Sequence, residues 1–306
     1  MQKWRKLGHI FSANKNFDWM QSHASVPIVL NVKGDVVHVI FTCRDKNNQS
    51  SVASIEFDIK TLETRKLSPE PILSKGDLGQ FDDSGVMASC ILNDGAFIRL
   101  YYIGWNLGVT VPFRNSIGLA ESKDFGRTFV KKFKGPVLDR TKYEPHFVAS
   151  SCVIYDDNIY KIWYLSCTEW FQKGEVKMHK YHIKYAESED GIDWDRRGIV
   201  AIDYSSDLEY AISVPRVIKE EGTYKMWFSS RANKISSTYG IRYAESLDGI
   251  DWIRKDNDVN LGRSKLGWDS EMICYPFVFS HEGSRYMLYN GNGYGESGFG
   301  LAVLEN

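Results

Sequence analysis

Along this chain, apolar residues come in short runs that alternate with polar ones, and no stretch keeps apolar spacing at i, i+3, i+4 and i+7 through two helical turns. The pattern predicts strands, and the strands repeat. Aromatic-rich runs end at Arg44 (VIFTCR), Trp105 (LYYIGW), Cys167 (IWYLSC), Arg231 (MWFSSR) and Asn292 (MLYNGN), in steps of 61, 62, 64 and 61 residues. A preceding apolar strand puts Pro27, Cys90, Cys152, Pro215 and Pro276 in the same register. Third strands follow as SVASIEF, SIGLAES, HIKYAES, GIRYAES and FGLAVLE. Fourth strands follow as ETRKLS, FVKKFKG, WDRRGIV and WIRKDND in the first four repeats only.

The fifth repeat stops at Asn306 without a fourth strand, while KWRKLGHI (3 to 10) has the fourth-strand pattern and no repeat ahead of it. Pairing the two ends supplies the missing strand and closes a ring. The expected fold is all-β: a five-bladed β-propeller with four-stranded blades, the last completed by the N-terminal strand. One domain, 1–306, is expected, with blades at about 22–70, 83–138, 146–203, 211–260 and 271–306 plus 3–10.

Composition narrows the function classes. A net charge of -1 over 306 residues lacks the basic footprint of a nucleic-acid binder. No apolar run reaches the roughly 18 residues of a membrane span, and MQKWRKLGHIF is too polar for a signal peptide, so a cytoplasmic location is expected. Cys43, Cys90, Cys152, Cys167 and Cys274 are odd in number and show no CxxC, which predicts free core thiols, with neither a disulfide framework nor a metal site. No cofactor is expected: GNGYGESGFG (291 to 300) lies between strands with no helix after it, so it fails as a phosphate loop. His179 and His182 are read as part of a polar loop.

In antiparallel blades the start of strand one and the end of strand two emerge on one face. Asp82, Asp83, Glu144, Glu209, Asp269 and Glu271 lead into first strands, and His23 stands at the first of them. Arg44, Trp105, Trp170, Arg231, Asn290 and Asn292 lie at or just beyond second-strand ends, and Arg216, one residue past Pro215, joins the binding set. These residues differ from blade to blade, as one asymmetric ligand requires. Trp105 and Trp170 either pack between blades or cover a pyranose face; Arg44 and Arg231 either pair with an acid such as Asp45 or recognise a carboxylate or phosphate. The opposite face carries the turns SKDFGRTF, SEDGIDW and SLDGIDW, whose Asp124, Asp190 and Asp248 are expected to bond their own backbone.

The five-blade plan, with acids entering from the starts of the inner strands, resembles the arabinanase, fructosidase and mannoside-phosphorylase superfamily (glycoside hydrolase families 43, 32 and 130). GQFDDSGVM, YYIGWN, GPVLDR, YEPHF, MWFSSR, GWDSEM and YNGNGYG are similar to uncharacterised, glycosidase-like propellers associated with surface-polysaccharide synthesis. The resemblance implies an enzyme acting on a glycosidic or sugar-phosphate bond, with a sugar, oligosaccharide or sugar nucleotide as ligand. It maps catalytic carboxylates onto Asp82 or Asp83 and Glu144, with Glu271 or Asp269 as a further possibility, and His23 as an alternative acid or base. In WMQSHAS (19 to 25), Ser22 stands where the family's nucleophilic aspartate would be. That departure raises a second expectation, a non-catalytic carbohydrate or glycoconjugate-binding propeller.

Overall fold

The computed structural model describes residues 1–231 and 238–305; residues 232–237, inside the fourth expected blade, and Asn306 lie outside the described residues. After β1 (Gln2–Phe11), the first unit comprises β2 (Ser22–Lys33), β3 (Val36–Arg44), β4 (Ser50–Asp58) and β5 (Thr64–Leu67). The second comprises β6 (Gly85–Asn93), β7 (Ile98–Leu107), β8 (Phe113–Ser122) and β9 (Val130–Lys131), and the third β10 (Val148–Asp156), β11 (Ile159–Lys173), β12 (Val176–Ser188) and β13 (Val200–Ile202). The fourth holds β14 (Ala211–Glu220), β15 (Thr223–Arg231), β16 (Gly240–Ser246) and β17 (Ile253–Arg254). After β18 (Val259–Asn260), the fifth holds β19 (Cys274–His281), β20 (Ser284–Asn290) and β21 (Phe299–Glu305).

Within each unit, successive strands pair antiparallel. β1 runs antiparallel to β21 from Lys3↔Glu305 to Phe11↔Phe299, so the first strand in sequence lies in the last sheet. The five first strands touch in cyclic order, β2 to β6, β6 to β10, β10 to β14, β14 to β19 and β19 back to β2. The result is a closed ring of five sheets, a five-bladed propeller.

Each inner strand breaks its register at an equivalent place, between Ser25 and Ile28, Ala88 and Cys90, Ala149 and Ser151, Ser213 and Arg216, and Cys274 and Phe277, and β2 breaks it twice more, at Ser22/Ser25 and Val29/Asn31. A bulge takes backbone groups out of the ladder, and buried N–H groups need partners. The neighbouring unit supplies them. Thr42 Oγ1 accepts from Ala88 N (2.9 Å), Ser89 Oγ from Ser151 N (2.6 Å) and Ser150 Oγ from Val214 N (3.0 Å). Ser229 Oγ accepts from Tyr275 N (2.8 Å) and Asn290 Oδ1 from Val26 N (2.8 Å). Every junction of the ring therefore carries one bond from a side chain of one unit to the inner backbone of the next.

Asn290 does most at the closing junction. Fully buried, it also donates to Ala24 O (2.7 Å) and Gly298 O (2.9 Å). This is a scaffold role and corrects the expectation that Asn290 faces a ligand. Replacing Asn290 with Ala strands a buried N–H and two carbonyls and is expected to cost about 2–4 kcal/mol, at about 1–3 kcal/mol per unsatisfied group with partial relaxation. Thr42→Val, which removes one acceptor, is expected to cost about 1–2 kcal/mol; urea unfolding followed by tryptophan fluorescence ranks the two.

Candidate functional site

The acids leading into the inner strands divide into two groups. Asp82, Glu144, Glu209 and Asp269 are buried. Asp82 pairs with Lys131 of β9 (2.6 Å) and accepts from Tyr102 OH (3.1 Å). Glu144 binds Lys184 (3.0 Å), Arg196 (3.6 Å), Tyr164 OH (3.2 Å) and Thr141. Glu209 takes a two-pronged contact from Arg254 of β17 (2.7 and 2.9 Å) and a bond from Ser230. Asp269 holds Lys6 of β1 and Tyr289 OH (3.0 Å).

The four are one device repeated. An acid before the first strand is fixed by a hydroxyl of the second strand and a cation from the outer part of the sheet. Burial by itself raises the carboxyl pKa of Glu144, Glu209 and Asp269, but hydrogen bonds from Thr141 and Lys184, from Arg254, and from Lys6 outweigh it and hold all three below the ordinary range. These groups tie the edges of four of the five sheets together, and Asp82 keeps one buried oxygen, Oδ1, without a hydrogen-bond partner.

Asp83 behaves differently. It is half-buried, accepts from Gly79 N (3.0 Å) and Ser84 OH (2.9 Å), and takes part in no ion pair among the described residues. Glu271 is exposed, with its backbone N–H bonded to Asn292 Oδ1 (2.7 Å). Asn292 also accepts from Met272 N (3.0 Å) and donates to Gly267 O (3.1 Å), so its side chain ties the loop after β20 to the loop before β19. Trp105 donates to Ser50 Oγ (2.8 Å) across the first two units, which is the packing alternative for that residue.

What the opening gathers is two arginines among aromatic rings. Arg231 lies 4.2 Å from the Tyr239 ring centroid, 5.0 Å from that of Tyr294 and 6.0 Å from that of Tyr210, and donates to Tyr294 OH (2.7 Å). Tyr239 is 5.7 Å from Tyr275, which interacts electrostatically with both Arg231 and Arg44. Neither guanidinium forms an ion pair with a carboxylate among the described residues, and Arg44 makes no side-chain hydrogen bond there. Asp45 instead caps its own turn through Asn47 N (2.8 Å) and Gln49 N (2.9 Å), leaving Arg44 the longer-range interactions with Tyr275 and exposed Glu296.

Two histidines flank the arginines. His23, with a left-handed φ of 63°, touches Ser22 Oγ (2.9 Å), and burial together with the Arg44 charge pulls its pKa down to about 4. His179 lies on β12, not in the loop expected from sequence, because β11 and β12 pair as far as Lys173↔Val176. Its ring packs 4.7 Å from Trp170 and 5.2 Å from Tyr181, and burial and the Arg231 charge bring its pKa to about 4. Trp170 therefore joins the aromatic wall. Arg216 sits deeper, 3.8 Å from the Phe277 ring and beside an axial cavity of about 10 Å³. All five cysteines are free and buried.

Sequence reasoning reached Arg44, Arg231, His23 and Trp170 but not the tyrosines Tyr239, Tyr275 and Tyr294. Their signal is local. Tyr275 precedes Pro276 at a bulge with φ 56°, and Tyr294, φ 59°, lies in the glycine-rich GNGYGESGFG loop.

Glu144→Gln, which leaves Lys184 and Arg196 buried without their partner charge, is expected to cost about 3–5 kcal/mol in chemical denaturation. A second outcome concerns acid. Between pH 6.5 and about 4, the unfolded chain binds protons at His23 and His179 that the folded chain refuses, so stability falls as pH drops through this window. The double variant His23→Gln, His179→Gln should flatten that slope in thermal melts; an unchanged slope would remove both histidines as its source.

No family model matches the sequence. The chain is 41% identical over 307 residues to the uncharacterized protein Rv1502 of Mycobacterium tuberculosis, covering 99% of each. It is 25% identical over 142 residues to 1,2-beta-oligomannan phosphorylase of Thermoanaerobacter sp. (strain X514), covering 45% of this chain and 46% of that one. A solved structure from the GH130 family of mannoside phosphorylases, described as containing glycoside hydrolases that target β-1,2 mannosidic linkages in Candida mannan, superposes with a TM-score of 0.69 at 14% identity, covering 99% of this chain and 93% of that one. At that identity the likeness speaks for the fold, which is the one expected from the sequence. The chain thus belongs to the family of the M. tuberculosis protein Rv1502, built on the five-bladed glycosidase-like propeller.

Proposed function

We propose that the arginine- and tyrosine-lined opening binds an anionic sugar and that the protein cleaves or transfers a glycosidic or sugar-phosphate bond there, in surface glycan metabolism. The observation that carries this reading is the pair Arg44 and Arg231, each at the end of a second strand, each without a carboxylate partner among the described residues, beside rings that can cover a pyranose. A planar fork suits phosphate or carboxylate, and a guanidinium left unpaired keeps its hydrogen-bonding capacity for the ligand. The partial relative that is an oligomannan phosphorylase supports a phosphate-dependent form of the reaction. In phosphorolysis a phosphate oxygen bonds to the anomeric carbon, the glycosidic C–O bond breaks, and the leaving oxygen takes a proton. Asp83, the half-buried acid free of a cation, is assigned as that proton donor. A neutral His23 beside Arg44 is available to accept a hydrogen bond from substrate.

A second reading, a propeller that binds glycans without turning them over, draws on the engagement of Asp82, Glu144, Glu209 and Asp269 in buried ion pairs. Calorimetry with sugar 1-phosphates, uronic acids and sugar nucleotides, beside a phosphate-release and phosphate-consumption assay, separates the two. Arg44→Ala and Arg231→Ala are each expected to weaken binding at least tenfold, as loss of a charge-assisted bond of about 1.5–3 kcal/mol implies. Asp83→Asn should keep affinity and lose turnover. Equal affinity for a charged sugar and its neutral parent would sink the anionic reading; turnover surviving in Asp83→Asn would remove that residue from the chemistry.

A further inference from the structure

At three junctions of the ring, an aromatic side chain from a second strand docks on the next unit. Tyr101 OH donates to Gly191 O (2.8 Å), Trp163 Nε1 to Gly249 O (2.7 Å) and Trp227 Nε1 to Gln2 Oε1 (2.9 Å). The pairing register puts Ile40 at this place in the first unit, since Ile28↔Ile40 corresponds to Arg216↔Trp227. An isoleucine has nothing to donate. Leu288 stands there in the fifth unit, fully buried in an apolar cluster that also takes Leu62 from the first unit's turn.

The turn that Ile40 would meet is also altered. Ser188 and Ser246 cap Gly191 N and Gly249 N three residues on, whereas Ser122 caps Gly126 N four residues on. The extra residue is Phe125, held at φ 61° and 77% exposed. A bulky residue in the left-handed region costs free energy that local packing does not return here. Between this turn and the first unit lies a groove of about 510 Å³, the size of a small-ligand site.

Its wall is polar by register. Asn31, His38, Glu56 and Lys66 stand side by side across all four strands of the first unit. Lys33, two residues along from Asn31 on the same face, and Arg127 of the turn add positive charge, while Val36, Ile55, Pro69 and Phe125 supply the apolar part of the lining. Lys33, Lys66 and Arg127 form no ion pair among the described residues, and Glu56 is the lining's one acid. Burial lowers the His38 pKa, opposed by Glu56 and helped by Lys66 and Lys33.

We propose that this groove is a second glycan site, taking an acidic oligosaccharide whose carboxylates meet Lys33, Lys66 and Arg127 while a ring stacks on Phe125. Amide and hydroxyl groups at Asn31 and Ser54 suit sugar hydroxyls, and an exposed aromatic suits a pyranose face. A net charge of -1 supplies no wider basic field of the kind a nucleic-acid backbone calls for. The groove opens toward the ends of the strands away from Arg44: on β3 its lining is Val36 and His38, and Arg44 lies six residues past His38, about 20 Å at about 3.3 Å per residue. It is therefore separate from the opening and stands whether or not that opening is catalytic.

The test is affinity electrophoresis of the full chain in gels containing polygalacturonate, with dextran and single-stranded DNA gels as comparisons, mobilities being referred to a gel without polymer. The Arg44→Ala, Arg231→Ala background keeps the opening from contributing. Retardation by polygalacturonate at low salt, lost at least tenfold in Lys66→Gln, Arg127→Gln and severalfold in Phe125→Ala, with unchanged thermal melting, is the expected result. No retardation in that background, retention in Lys66→Gln, Arg127→Gln, or equal retardation by dextran or DNA overturns the proposal.

Discussion

The architecture depends on one kind of contact, a side-chain oxygen of one sheet accepting a hydrogen bond from a bulged backbone N–H of the next. Five radial sheets share little backbone pairing: single parallel bridges, Ser50↔Gly85 and Tyr181↔Ala211, and a two-residue parallel pairing of β1 with β18. The inner strands must nevertheless bend around a narrow axis, and the bend removes N–H groups from the ladder. Thr42, Ser89, Ser150, Ser229 and Asn290 answer that need one junction at a time. The constraint explains an otherwise costly backbone. Val26, Val214 and Tyr275 sit at φ 50–56° immediately before prolines, where the chain would by itself be extended. Strain of this kind persists only when the surroundings determine the conformation, and here two sheets do so together.

The same logic governs the buried acids. A sheet that narrows toward the axis and splays outward needs its outer strand anchored, and Asp82, Glu144, Glu209 and Asp269 reach from the loop before the inner strand to cations on or beside the outer one. In the last sheet that cation is Lys6, carried by the strand from the opposite end of the chain. Closure is thus electrostatic as well as hydrogen-bonded. The first unit has Trp19 and Gln21 in this region instead, and it is the unit whose neighbouring surface opens into the groove beside Phe125.

Much of this was written in the residues. The spacing of aromatic runs and the unmatched KWRKLGHI segment were enough to expect a ring closed by its ends, because strand periodicity and the count of strands per repeat are properties of the chain itself. The turns at Asp124, Asp190 and Asp248 bond their own backbone as their composition implied. The opening was harder. Asp82 and Tyr102, Glu144 and Tyr164, and Asp269 and Tyr289 are each 20 residues apart, a recurrence that puts the same carboxylate–tyrosine bond in three units. Read one at a time beside a family resemblance, the same carboxylates look like chemistry. Burial depends on which loop folds over which strand end, and no local pattern encodes that. Of the tyrosines around Arg231, Tyr210 and Tyr239 come from the fourth unit and Tyr275 and Tyr294 from the fifth, so only the packing of one sheet on the next assembles them.

The axis itself sets a limit on traffic. With Val26, Val214, Tyr275 and Arg216 lining a cavity of about 10 Å³, the centre has room for little more than a water molecule. Nothing the size of a monosaccharide passes through the ring, so whatever enters between Arg44 and Arg231 must back out by the door it came in, and a long polymer can be engaged there by its tip or along its flank, never threaded.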